Sequence, residues 1–167
     1  MNKDNQREDV TLAYIAGLID GEGSIRIQKQ SEKGWNPKYT PMISFVNTSL
    51  EAVKLIANFL GDTRIFTHDP SKYGYPNRKI CYKTYKAGAS SVATLLRKLL
   101  PYLRIKRRQA ELLIDYADNF VPASGQGRGV KNGRFIGGRR RTPQEDERRE
   151  KIYQELKALH GYITRND

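Results

Sequence analysis

The run Val10–Asp20, VTLAYIAGLID, is apolar on nearly every side. Ile15 and Ile19 fall one helical turn apart, Tyr14 and Leu18 cover a neighbouring face, and Ala13, Ala16, Gly17 and Gly21 form a stripe of small residues. A helix apolar all round is buried all round. This one is expected to press one face on its own domain and offer the stripe of Ala13, Ala16 and Gly17 to a partner. The period then changes from 3.6 to 2: Ile25 and Ile27 alternate with Ser24, Arg26, Gln28 and Gln30, which predicts a strand with one apolar and one hydrogen-bonding face. Gly34, Asn36 and Pro37 mark a turn before a second strand over Tyr39–Asn47.

Leu50–Leu60 predicts a helix with Val53, Ile56, Ala57 and Leu60 inward and Gly61 closing it. Two strands follow, about 63–68 and 78–86, joined by a loop with Tyr73, Gly74, Tyr75 and Pro76. Ser90 or Ser91 is placed to cap a helix running to Leu100, with Val92, Leu95, Leu96 and Leu99 as its core face and Pro101 stopping it. The next helix, about 104–118, is expected to bury Ile105, Leu112 and Tyr116. Residues 121–141, rich in Gly and Arg and without a period, predict a loop or a segment ordered only on binding. Thr142-Pro143-Gln144-Glu145 reads as a capping box with proline at the first helical position. It opens a last helix with the stripe Ile152, Leu156, Leu159 and Ile163, ending near Gly161.

The order αββαββα plus C-terminal helices implies an α+β domain: one four-stranded, mostly antiparallel sheet with helices on a single face. The expected organisation is a core over 1–120, a Gly/Arg-rich, DNA-contacting loop over 121–141, and a C-terminal helical segment over 142–167 packed on the core. The sheet's other face stays open and carries Ser24, Arg26, Gln28 and Gln30. A saddle of strands bearing such side chains suits the major groove of DNA.

Charge sharpens that expectation. Thirty Lys and Arg against eighteen Asp and Glu leave a formal charge of +12, beyond the magnitude of about 2–8 that keeps a small domain soluble, and such a field attracts polyanions. The cations cluster: Arg104, Lys106, Arg107 and Arg108 lie within five positions, and Arg128, Lys131, Arg134 and Arg139 to Arg141 follow without an acid between them. Nucleic acid is the favoured partner, with ribosomal protein, RNA-binding module and nuclease still open. With hydrophobic residues at 38% and charged residues at 29%, no apolar run approaches the roughly 20 residues of a membrane span. The polar opening Met1–Asp9 lacks the apolar stretch of a secretory signal, and the lone Cys81 suits a reducing compartment. An intracellular protein, in a prokaryotic cytoplasm or an organelle matrix, is expected. His68 and His160 have no His or Cys at metal-ligand spacing, and there is no Walker loop or Ser-His-Asp arrangement.

The acids lie elsewhere. Asp20 and Glu22 close a helix, where the dipole disfavours anions by about 0.3–1 kcal/mol each, so a cation or a nearby Lys or Arg should compensate. Asp20 is expected to make local turn or capping bonds. The run Ile15-Ala16-Gly17-Leu18-Ile19-Asp20-Gly21-Glu22-Gly23, with the strand-strand-helix pattern after it, resembles the signature of the LAGLIDADG homing endonuclease family. Pro101-Tyr102-Leu103-Arg104-Ile105-Lys106-Arg107-Arg108-Gln109-Ala110 is similar to a second stretch shared by its single-motif members. The resemblance spans about residues 10–118.

That resemblance implies the family's fold and a homodimeric, site-specific double-strand DNA endonuclease. Such an enzyme cuts across the minor groove, leaves 3′ overhangs and reads a long pseudo-palindromic site. It assigns Glu22 as the metal-binding acid, one methylene longer than the usual Asp, with the Gly21 carbonyl as second ligand and Mg2+ (Mn2+ as substitute) as the ion. Asn47 falls where relatives carry a water-orienting Gln, although a turn with Thr48 and Ser49 is an equal reading. Lys106 matches a basic residue beside the scissile phosphate. Arg104, Arg107, Arg108 and Arg139, Arg140 and Arg141 are expected on DNA phosphates. The same fold also serves RNA maturases that assist intron splicing and DNA-binding regulators that have lost the acid.

Overall fold

Period-2 segments pair where period-3.6 segments can cover them. In the computed structural model, which describes residues 3–31, 37–120, 129–131, 134–136 and 142–161, helix α1 (Lys3–Glu22) leads directly into strand β1 (Gly23–Gln30). Strand β2 (Lys38–Asn47), helix α2 (Leu50–Phe59), strand β3 (Phe66–His68), strand β4 (Cys81–Ala87), helix α3 (Ala89–Leu99) and helix α4 (Arg107–Phe120) follow. A short ribbon, β5 (Gly129–Lys131) and β6 (Arg134–Ile136), precedes helix α5 (Pro143–Leu159). The main sheet has the order β1-β2-β4-β3 and is antiparallel throughout. Among the described residues no helix is long and apolar enough to cross a membrane.

The register fixes the two faces. Ile25 pairs with Ile43 and Phe45 with Thr84, and all four are fully buried. Ile15 and Ile19 of α1, Val53 and Ile56 of α2, Val92 and Leu96 of α3 and Leu113 and Tyr116 of α4 join them in one core. Each fully buried Ile or Leu contributes about 1.5–3 kcal/mol relative to exposure. All four helices therefore sit on one face, and the other face is left to Ser24, Arg26, Gln28 and Gln30.

Helix α5 packs against α4 and β1. Its N-terminus is the expected capping box: the Thr142 hydroxyl accepts from the Glu145 N–H, and the Glu145 carboxylate accepts from the Thr142 N–H. Leu156 is buried and Ile152 half-buried, but Leu159 is 41% exposed, so the stripe seals only in its middle; Ile163 lies outside the described residues. The Glu150 carboxylate accepts from Lys29 Nζ at 2.8 Å, from the Tyr39 hydroxyl and from Gln154. Burial pushes this carboxyl up, yet those donors outweigh it and bring it down to about 2.

Other boundaries differ from expectation for local reasons. Helix α1 starts at Lys3, because residues 3–9 contain no helix breaker. Strand β3 starts three residues late: Thr63 is held by its N–H on the Ala57 carbonyl and its hydroxyl on Thr84 at 2.6 Å. Strand β4 starts at Cys81 because Arg78 is still turning back onto the Tyr75 carbonyl. Neither Ser90 nor Ser91 caps α3. Gly88, at φ 112°, is the cap, and the Ser91 hydroxyl donates to the Ala87 and Gly88 carbonyls instead. Helix α4 starts at Arg107, leaving Ile105 73% exposed rather than buried. Within 121–141, which the sequence pattern predicts as a loop, Val130 pairs with Phe135 in the β5–β6 ribbon.

Candidate functional site

The last turn of α1 contains no basic residue and ends in two acids. The compensation comes from a segment more than 80 residues away. Lys106 Nζ donates to the Ile19 carbonyl at 3.0 Å and to the Asp20 carbonyl, placing an ammonium where the helix carbonyls have no helical partner. Asp20 is 8% exposed, and its carboxylate accepts the backbone N–H groups of Arg104 at 2.7 Å, Ile105 at 3.1 Å and Lys106 at 2.8 Å. Burial raises its pKa, but these N–H groups and the Lys106 charge prevail and hold the carboxyl below its ordinary value. The bonds expected to be local are thus long-range, and they pin the 104–106 segment to the end of α1.

Glu22, two residues on, is exposed and has no hydrogen-bond or ion-pair partner among the described residues. Gly23 makes the sharp passage from helix to strand possible: a Cβ there would lie 2.8 Å from both the Ile19 Cα and the Ile19 carbonyl oxygen. The exposed carboxylate, the adjacent Gly21 backbone and the Lys106 ammonium therefore share one helix end. Among the described residues no three His, Cys, Asp or Glu side chains gather into a metal cluster. Among the described residues, one chain brings a single unpaired acid, Glu22, to this end.

Asn47 lies two residues beyond Phe45, the partner of Gly23, so the end of β2 is at the same margin of the sheet as Glu22. Its side-chain oxygen accepts from the Ser49 N–H at 2.8 Å, the turn reading of this residue. The basic cluster splits. Arg104 is exposed; Arg107 pairs with Glu111 one turn along α4; the Arg108 guanidinium pairs with Glu155 of α5 at 2.6 Å and with Glu111. Arg108 thereby ties α4 to α5 while its side chain stays half-exposed. Arg139, Arg140 and Arg141 lie outside the described residues.

The open face of the sheet is read from the pairing. Ser24 faces Ser44, Arg26 faces Met42, and Gln28 faces Thr40. Arg26 reaches Met42 Sδ at 3.8 Å, while Gln28 and Gln30 are exposed. Strands β2, β4 and β3 extend this face with Val46, Lys83, Tyr85 and Phe66, which the motifs alone do not single out. No alternation along β2 marks them, since Met42 to Phe45 are all buried; only the strand pairing places them on this face. Lys29, on the opposite parity, turns to Glu150.

Helix α1 keeps a second, unfilled face. Val10 is 71% and Tyr14 60% exposed, and Ala13, Gly17 and Gly21 are exposed beside them. A Cβ on Gly17 or Gly21 would meet nothing within 4 Å. Ala16 does not belong to this stripe: it is fully buried in its own domain, about 100° around the helix from Gly17.

Residues 15–120 match the family described as LAGLIDADG endonuclease. The DNA endonuclease I-CvuI of Chlorella vulgaris is 30% identical over 118 residues, 68% of each chain. A crystal structure of the homing endonuclease I-CvuI with its target in the presence of calcium superposes with a TM-score of 0.69, covering 96% of this chain and 88% of that one at 19% identity. The archaeal intron-encoded homing endonuclease I-Vdi141I, complexed with DNA, gives a TM-score of 0.65 at 21% identity, over 91% and 85% of the two chains.

Proposed function

The chain belongs to the LAGLIDADG endonuclease family, and from that premise we propose that it is a metal-dependent, site-specific DNA endonuclease that acts as a homodimer in a reducing compartment. The observation that carries this reading is Glu22. It is exposed, has no structural partner among the described residues, and stands at a helix end whose other acid is wholly engaged. A carboxylate kept there against the helix dipole has a use other than stability.

Glu22 and the Gly21 carbonyl would hold Mg2+, an ion that takes only one or two carboxylates and draws its remaining oxygens from waters and substrate phosphate. The ion, when bound, lowers the pKa of a water nucleophile and neutralises charge on the phosphate under attack. Lys106, fixed by the α1 carbonyls, adds positive charge beside that phosphate. Asn47 orients water from the neighbouring strand end. With one acid per chain, cutting both strands takes two chains, and the exposed Ala13–Tyr14–Gly17 face of α1 brings two Glu22 side chains together.

Ser24, Arg26, Gln28 and Gln30 read base edges in the flanking major grooves, and Arg104 and Arg107 steady the backbone. The test is linearisation of plasmids carrying a randomised site library. Cutting at a recoverable sequence is expected with Mg2+ and none with EDTA. Binding without cutting under any divalent ion would refute the nuclease assignment and favour a regulator of the same fold.

A further inference from the structure

The open face is not uniform along its strands. The row nearest Glu22 holds Val46, Lys83 and Phe66, since Val46 and Phe66 both pair with Lys83; Tyr85 stands in the next row, opposite Ser44. Val46 is 42% exposed, and Phe66 and Tyr85 are each 38% exposed. The two rings stack at 5.6 Å between centroids with planes 14° apart. Arg64 lies 5.1 Å from the Phe66 ring and Lys83 5.8 Å from the Tyr85 ring. At the far end the face is polar, with Gln28 opposite Thr40 and Gln30 opposite Lys38. A water-facing antiparallel sheet alternates apolar-in and polar-out, so two stacked outward rings, with Val46 across Lys83 from Phe66, call for a ligand with an apolar feature.

Resting on the endonuclease reading above, we infer that Phe66, Tyr85 and Val46 read thymine methyl groups at the inner positions of each half-site, next to the cleavage centre. Bases inside a duplex are stacked on one another and present only edges to a sheet in the major groove. Among those edges the thymine 5-methyl is the apolar feature, and the rest are hydrogen-bond donors and acceptors. The flanking Arg64 and Lys83 cations meet the backbone that borders such a contact. The polar far end, with Gln28, Thr40 and Gln30, takes the outer bases through hydrogen bonds. Each half-site is thereby divided into a methyl-read inner part and a hydrogen-bond-read outer part.

Preferred duplexes are selected from a randomised pool by the purified protein in Ca2+, and each thymine of the best one is then replaced singly by uracil, which lacks only the methyl. Affinity is expected to fall about fourfold per inner methyl, the worth of one buried methylene-sized group, and to be unchanged at outer positions. Phe66→Ala should lose the thymine-over-uracil preference at the position that ring covers, while Tyr85→Phe, which keeps the ring, should retain the preference. Val46→Thr keeps strand shape and should lose it at one position, which provides a test even if Phe66→Ala fails to fold. A pair that merely braces the three-residue β3 would leave the thymine-to-uracil ratio unchanged in folded variants, and that result overturns the inference. So does equal wild-type affinity for both duplexes. Failure of the wild type to bind any duplex would instead remove the endonuclease reading itself, and this inference with it.

Discussion

Asp20 and Glu22 are two residues apart and have opposite environments. Asp20 is closed over by three backbone N–H groups, whereas Glu22 faces solvent. Asp20→Asn keeps the shape but leaves one acceptor oxygen for three buried donors, so unfolding free energy should drop by about 1–3 kcal/mol for a donor left unsatisfied. Because the folded pKa of Asp20 is lowered, its charge-dependent stabilisation is present above the unfolded value near 3.9 and disappears as pH falls through the folded value. Denaturant titrations should accordingly show a smaller loss of stability in acid for Asp20→Asn; an equal loss would mean those N–H groups do not hold the carboxylate. Gly23→Ala should cost about 1–3 kcal/mol by forcing a Cβ against the Ile19 backbone, and an unchanged melting temperature would contradict that close approach. Glu22 is legible in the sequence because a motif marks it. Asp20's partners are not, since they lie 84 to 86 positions away and are backbone groups without a side-chain signature.

Elements are legible where periodicity decides them. The core faces of α2 and α3 and the alternation of β1 fall where the pattern puts them. Misplacements arise where a tertiary contact competes with a local preference. Ile105 follows the helical period but is exposed, because it lies ahead of Arg107, where α4 begins, in the segment pinned to the Asp20 carboxylate. In the sequence Arg108 is one cation in a row, and only the packing of α5 supplies Glu155 as its partner. The β5–β6 ribbon does have a sequence sign, Asn132-Gly133 between Val130 and Phe135, a strong hairpin signal hidden by the surrounding Gly and Arg. For α1, Gly17→Leu should leave the fold intact, since nothing lies within 4 Å of its Cβ position, yet exclude a second chain. Sedimentation should show a folded monomer, and an undisturbed dimer would rule out this face. For α5, Glu150 at about 2 implies docking that is full above the unfolded carboxylate value and lost as pH falls toward 2. Glu150→Gln should abolish that acid-dependent change in hydrogen exchange of α5; its persistence would place the anchor elsewhere.

Across the whole molecule, binding and cutting should separate. In the proposed function the +12 charge and the open sheet supply affinity, and the α1 ends the chemistry. Ala at Arg26 or Gln28 should relax base preference by about 1–3 kcal/mol. Neutralising Arg139, Arg140 and Arg141 should flatten the salt dependence by about 0.9 in log–log slope for each phosphate that these arginines neutralise. An altered base preference with an unaltered slope would exchange those roles. The most direct measurement compares wild type and Glu22→Gln on one target duplex, by gel shift in Ca2+ and by cleavage in Mg2+. Glu22→Gln keeps size and a hydrogen-bonding head group and removes the charge proposed to hold the ion. Binding should change little, and double-strand cleavage should fall by several orders of magnitude. Cleavage at the wild-type rate, or a folded variant that no longer binds DNA, would contradict the assignment of Glu22 as the metal-holding acid.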